Sequence, residues 1–177
     1  MKPRSASHFH VSPQTHMLDF FKQTIYVQVA PDRLTVRNPK EGVTISEVPE
    51  IAVARTPKPT VLGVGTEAKA HKAVPSVEIT NPFAHPRSMV SDFTLGEQVL
   101  KAFLARARPK SLLAPSPTVI MHLMGDPAGG FTQVEARAFR EMALGAGASQ
   151  VTVWQGPRLT DQELLSGTFP SSGKVLE

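Results

Sequence analysis

Residues 119–154 read VIMHLMGDPAGGFTQVEARAFREMALGAGASQVTVW. The stretch opens with an apolar run at 119–124, broken only by His122. That is how a strand covered on both faces reads. Residues 125–131 form a Gly-rich loop. Thr132 and Glu135 then have the spacing of a capping box. Val134, Ala138, Phe139, Met142 and Ala143 fall on one face at helical spacing, and Gly145 and Gly147 stop the helix. Val151, Thr152, Val153 and Trp154 resume a strand. Strand, loop, helix, strand is the crossover unit of an α/β sheet, which sets the fold class.

Upstream, residues 94–107 predict a second helix. Leu95, Val99, Leu100, Phe103 and Leu104 make its apolar stripe, and Glu97 and Lys101 stand four apart on its polar face. Thr94 with Glu97 has capping-box spacing, and Asp92 is equally placed to start the helix. Three prolines make 109–118 a connection between elements. Residues 75–92 are expected to be irregular, because Pro75, Pro82 and Pro86 break any long element. A short helix over 66–73 is expected, with Thr66 as its cap.

Residues 17–64 alternate with a period of two. Ile25, Val27 and Val29 give one strand, Leu34 and Val36 the next, and Val43 and Ile45 a third. Pro31-Asp32 and residues 39–42 supply the turns. Ile51 and Val53, then Val61, Leu62 and Val64, follow as short strands. Downstream, residues 160–165 predict one helical turn. The expected organisation is a disordered tail at 1–16, a single domain at 17–165 and a flexible C-terminal tail at 166–177. Met17 opens a new texture and is the expected biological start.

Composition narrows the chemistry. The 177 residues suffice for one domain with a core. There is no Cys, which removes disulfides, thiolate nucleophiles and thiolate metal sites and fits the cytoplasm. No apolar run approaches the ~20 residues of a membrane span, and no apolar segment follows Lys2 and Arg4 as in a signal peptide. The net charge of +4 is spread between apolar elements, so nucleic acid is not an expected partner. His8, His10 and His16 are expected to bind nothing specific, and His122 is read as structural.

Gly125, Gly129 and Gly130 precede a helix start, where an anion can bind. They lack the Lys-Ser/Thr ending of a P-loop and the dinucleotide fingerprint, and Asp126 adds negative charge there. Asp32, Asp92, Asp126 and Glu135 are the carboxylates near element ends. Capping is the expected main role of Glu135.

Several collinear stretches resemble a known family. They are VLGVGTEAK at 61–69, VSDF at 90–93, PTV at 117–119, TQVEARAFRE at 132–141 and GAGASQV at 145–151. Together they resemble the first domain of MreB, the bacterial actin-like rod-shape family. MLDFF at 17–21 is similar to the family's short hydrophobic start. The resemblance covers roughly 17–165. It implies a partial actin-like (ribonuclease H-like) domain, with a mixed sheet and flanking helices. It also implies ATP bound between two domains, polymerisation into filaments under the membrane and organisation of cell-wall synthesis.

The departures bear on activity. Where the family has Asp-Ile/Leu-Gly-Thr on its first phosphate hairpin, this chain has Gln28-Val29-Ala30-Pro31. An amide replaces the metal-facing carboxylate, Ala30 replaces the turn glycine, and Pro31 has no N–H. Glu135 matches the family's helix glutamate near the attacking water. Gln155-Gly156-Pro157 stands where the family has Glu-Glu-Pro. The loop at 124–131 looks longer than the family's, and 81–89 matches poorly. The second phosphate loop, the adenosine pocket and the second domain have no counterpart in these residues.

The expectation is a non-catalytic chain without ATPase activity, without a bound cofactor or metal. Gln28, Ala30 and Pro31 form its degenerate hairpin and Glu135 is a catalytic remnant. Candidate partners are a full-length actin-like filament protein or the cell-shape complex. The alternatives are an ATP- and Mg²⁺-binding cytoskeletal protein and a gene remnant without function. Leu18, Phe20 and Phe21 are candidates for weak contact with the inner face of the membrane; packing on the sheet edge is the other reading. An exposed apolar interface is expected at Trp154 and Pro157.

Overall fold

The computed structural model describes residues 23–111, 114–125 and 127–177. The expectations for residues 1–16, Met17, Leu18, Phe20, Phe21 and Asp126 lie outside the described residues.

Alternating side chains build the first three strands. β1 (Thr24–Ala30), β2 (Arg33–Asn38) and β3 (Val43–Glu47) form an antiparallel meander. Ile25, Val27, Val29, Leu34 and Val36 all point to one face and are fully buried there. The chain then leaves to make a second, smaller sheet from β4 (Ile51–Ala54), β5 (Thr60–Val64) and β6 (Val77–Thr80), in the order β5-β4-β6. A 3-10 helix (Gly65–His71) sits between β5 and β6.

β6 corrects the expectation that 75–92 is irregular. The prolines flank the four residues of the strand instead of interrupting them, so β6 pairs along the whole of β4. Thr66 does not cap the 3-10 helix. Val64 holds the cap position, and Thr66 N–H donates to Glu47 Oε2 at 2.7 Å. Glu47 also pairs with Arg106, so one carboxylate joins the meander, the 3-10 helix and the next helix.

That helix is α1 (Phe93–Ala107), and Asp92 is its cap, accepting from Leu95 N–H at 2.9 Å. Thr94 therefore lies inside the helix, and the capping-box reading of Thr94 and Glu97 gives way to Asp92. Gly96, Val99, Leu100, Phe103, Leu104 and Ala107 form its buried stripe. β7 (Thr118–Leu123) then runs parallel to β1, with Thr24 opposite Thr118 and Val29 opposite Leu123. α2 (Gln133–Gly145) crosses over to β8 (Gln150–Gln155), which lies parallel to β7. The right-handed crossover rule places both α1 and α2 on one face of the sheet. They meet closely because a side chain at Gly96 would lie 2.7 Å from Met142 Sδ. Ala136 takes the buried position expected of Val134, which is 79% exposed.

The chain ends with α3 (Asp161–Ser166) and β9 (Lys174–Val175). The main sheet order is β3-β2-β1-β7-β8-β9, mixed as expected. Two cores result. The large one lies between the sheet and α1, α2 and the small sheet. The small one holds Tyr26, Ile120, Trp154, Leu159 and Leu164 on the opposite face.

The segment expected to be a flexible tail is folded back on the sheet. β9 pairs antiparallel with β8, Leu176 N–H donates to Val153 O at 2.8 Å, and Phe169 stacks on Trp154. The apolar residues responsible are too sparse to show a period, yet Trp154 and the open edge of β8 hold them.

Candidate functional site

The hairpin between β1 and β2 decides the geometry of the site. Gln28 and Ala30 point away from the large core, because Val27 and Val29 take the other face. They line an open cavity of about 470 Å³ with Asp32, Arg33, Met124 and Arg158. A second cavity of about 350 Å³ adjoins it through Met124, lined by Pro31, Ser88, Gly125, Phe131 and Glu135 among others. The hairpin residues and Glu135, more than 100 positions apart in sequence, are thus brought to two neighbouring hollows at the carboxyl ends of β1 and β7. That is where open α/β sheets place ligands.

Each of the four expected site residues is engaged. Gln28 Nε2 lies 3.6 Å from Met124 Sδ. Ala30 closes β1 opposite Arg33. The carbonyl of Pro31 accepts from Asn81 Nδ2 at 2.7 Å, which ties the hairpin tip to the segment after β6. Glu135 makes the predicted capping box. Its Oε2 accepts from Thr132 N–H at 3.0 Å and from the Thr132 hydroxyl at 2.9 Å, and its own N–H donates to Thr132 Oγ1 at 3.2 Å. Oε1 accepts from Met89 N–H at 3.4 Å. Burial pushes the Glu135 carboxyl up, but these hydrogen bonds outweigh it and hold the group below its ordinary value.

On the other face, His122 is buried beside Tyr26. The Tyr26 hydroxyl hydrogen-bonds His122 Nδ1, and His122 Nε2 lies 2.9 Å from Gly156 O. Leu159 N–H donates to the Tyr26 oxygen at 3.2 Å. Only one neutral tautomer satisfies all three contacts. Nε2–H donates to Gly156, and Nδ1 accepts from the tyrosine. Burial lowers the His122 pKa below its ordinary value, with the nearby Arg158 charge acting in the same direction. The structural reading of His122 fits this geometry, and its role is to hold the loop at 156–159.

Trp154 corrects an expectation. It is 1% exposed, covered by Phe169 and the C-terminal segment, and its Nε1 donates to Pro157 O at 3.0 Å. Pro157 is exposed, but the apolar interface expected around the pair is absent, because Trp154 is the anchor of the small core. Arg33 and Arg158 line the first cavity and Asn81 braces the hairpin tip beside it; none of the three was singled out from the sequence. For Arg33 the period-two pattern of β2 was a usable signal. For Arg158 and Asn81, which stand outside the strands, there was none. Among the described residues no three His, Asp or Glu side chains converge into a metal cage, and no helix is long and apolar enough to cross a membrane.

A meander whose first strand pairs in parallel with β7, which in turn pairs in parallel with β8, with a small second sheet inserted after β3 and a ligand-sized hollow at the hairpin, defines an actin-like domain. Solved structures agree on the fold. MreB5 of Spiroplasma citri bound to ADP superposes with a TM-score of 0.59 at 16% identity, over 75% of this chain and 37% of that one. A non-polymerising mutant of MamK bound to AMPPNP gives 0.61 at 14% identity, over 76% and 41%. The chain belongs to the MreB/Mbl protein family, whose profile matches residues 25–160. The cell shape-determining protein MreB of Escherichia coli K12 is 32% identical over 121 residues, which is 66% of this chain and 33% of the relative. That of Haemophilus influenzae is 30% identical over 123 residues, 67% and 33%. The chain spans about a third of the length of these relatives.

Proposed function

We propose that this chain is a non-catalytic member of the cell shape-determining actin-like family that acts by associating with a full-length filament protein or the cell-shape complex, not by turning over ATP. The observation that carries the reading is the hairpin. Its metal-facing position is Gln28, an amide without charge that rests against Met124, and Pro31 at the tip offers no N–H to a phosphate. Glu135 does not compensate, since both of its oxygens already accept hydrogen bonds from backbone and Thr132. A water-positioning carboxylate has nothing to act on without a held phosphate. The residues present therefore fit a magnesium nucleotide poorly. The loss of one hydrogen bond to a charged group alone costs ~1.5–3 kcal/mol.

A second reading keeps ATP and Mg²⁺. Asp32 lines the same cavity as Gln28 and would be its metal ligand. Two of the solved relatives in fold were bound to adenine nucleotides. Isothermal titration with Mg-ATP, with and without a full-length MreB, separates the readings. The proposal expects no tight binding by the chain alone and a complex with the filament protein. Micromolar Mg-ATP affinity of the isolated chain would overturn it. Binding only in the mixture would favour the second reading.

A further inference from the structure

The small-core face of the main sheet carries a further recess, at the amino ends of the parallel strands. Ile25, Val119 and Val151 turn to the large core, so their neighbours Thr24, Thr118, Gln150 and Thr152 turn to the opposite face. The ladder aligns these four. Thr24 pairs with Thr118 and Thr118 with Gln150, one strand spacing of ~4.8 Å apart each time. Thr152 stands in the next row, level with Ile120. The end of α3 and the segment after it close one side with Leu165 and Phe169, around a volume of about 530 Å³. Thr24 and Ala30 are the two ends of β1, so ~20 Å of strand separates this recess from the hairpin hollow.

The chemistry of the two hollows differs. No charged residue lines the recess, whereas the hairpin hollow has Asp32, Arg33 and Arg158. A charged ligand would give up its water here with no countercharge in return. A wholly apolar ligand would cover the polar floor and strand it, since among the described residues the side chains of Thr24, Thr118, Gln150 and Thr152 have no hydrogen-bond partner. The threonines are β-branched on a paired sheet, so their hydroxyls lose little rotamer freedom on binding. The wall is apolar. Leu165 is 60% exposed, and Phe169 is fixed by its stack on Trp154.

We infer that this recess binds a neutral sugar of one or two rings, with its hydroxyls on Thr24, Thr118, Gln150 and Thr152 and its C–H face against Leu165 and Phe169. A threonine hydroxyl both donates and accepts, as a sugar hydroxyl does, and an amide offers both roles side by side. The volume lies within the range of small-molecule sites. The site goes beyond the proposed association with a filament protein and does not depend on it, because no residue of the hairpin or of Glu135 takes part.

The test is titration of the full chain with glucose, galactose, maltose and cellobiose, followed by calorimetry and by Trp154 fluorescence. Trp154 is the single tryptophan of the chain and touches the wall through Phe169. At least one of the four sugars is expected to bind at millimolar concentration and to shift the emission. Thr118→Val and Thr152→Val keep a β-branched residue in each strand and remove one hydroxyl. Each should weaken binding roughly two- to tenfold with the urea midpoint held near that of the native chain. Leu165→Ala, on the exposed side of α3, should weaken it as well. Glucuronate, which carries a carboxylate, should bind less well than glucose. Absence of binding by all four sugars overturns the inference. So does equal affinity of Thr118→Val, Thr152→Val and the native chain, or a preference for glucuronate. None of these results bears on Mg-ATP affinity, so the proposed function stands or falls by its own titration.

Discussion

His122 and Tyr26 form a hydrogen-bond chain with one consistent direction, from Leu159 N–H to the tyrosine oxygen and from its hydroxyl to Nδ1. A proton added at Nδ1 would confront the tyrosine hydroxyl with a second donor. The His122 pKa is lowered in the folded state by burial, so the unfolded chain binds the proton first. Stability is then fully present above the ordinary value of 6.5 and falls as pH drops below it toward the folded pKa. Urea midpoints measured between pH 8 and 5 should decline below about 6.5, and His122→Gln should flatten that limb. A midpoint independent of pH over this range would contradict the neutral tautomer. Glu47, whose carboxyl the Arg106 guanidinium holds below its usual range, adds a separate loss below 4.5. Tyr26→Phe leaves Leu159 N–H and His122 Nδ1 unpaired. Equilibrium unfolding should show a cost of about 1–3 kcal/mol.

At the scale of elements, α2 and β9 make opposite demands on a reader of sequence. The capping box of α2 is visible in Thr132 and Glu135 because it depends on residues three apart. Thr132→Ala should cost about 1 kcal/mol, seen as a lowered unfolding midpoint with an unchanged denaturant slope. β9 is two residues long and owes its place to a contact no local pattern records. Gly173 lies flat on the Trp154 indole, where an added Cβ would come within 2.3 Å of Cζ2. Gly173→Val should lift the segment and shift Trp154 emission to longer wavelength, and an unchanged spectrum would contradict the packing. The same division explains the rest. Strands β1 to β5 and helices α1 to α3 follow from short-range periods and caps. β6 lay hidden among prolines, and the cover over Trp154 needed the tertiary fold. Of the site, Gln28, Ala30, Pro31 and Glu135 were legible through alignment of type and order. Arg158 became legible only when the loop at 156–159 was seen pinned from the far face of the sheet.

On the scale of the molecule, stability is unevenly spread. β1 and β7 lie at the centre of the main sheet with helices on one face and the small core on the other. The small sheet has three strands and two open edges, and Val61 and Leu62 on β5 are about 40% exposed. Hydrogen exchange should find the slowest amides in β1 and β7 and much faster ones in β5 and β6. Uniform protection across both sheets would contradict this ranking. The Glu47 contacts to Arg106 and Thr66 are the polar bonds that join the small sheet's 3-10 helix to the main body. Glu47→Gln should therefore speed exchange in the 3-10 helix before it affects β1.

The parallel pairing of β1 with β7 has a consequence for how the chain is made. Thr24 meets Thr118, so the central ladder closes a loop of about 90 residues, a long-range contact of the kind that slows folding. β1 leaves the ribosome with its inner edge bare and its apolar face unprotected. At ~5–20 residues per second the missing neighbour follows on the order of 5–20 s later. In that interval the β1–β3 meander has only the small sheet, and then α1, to lean on. A nascent chain stalled before β7 is thus the form most exposed to strand pairing with another copy, and the one a chaperone would have to shelter.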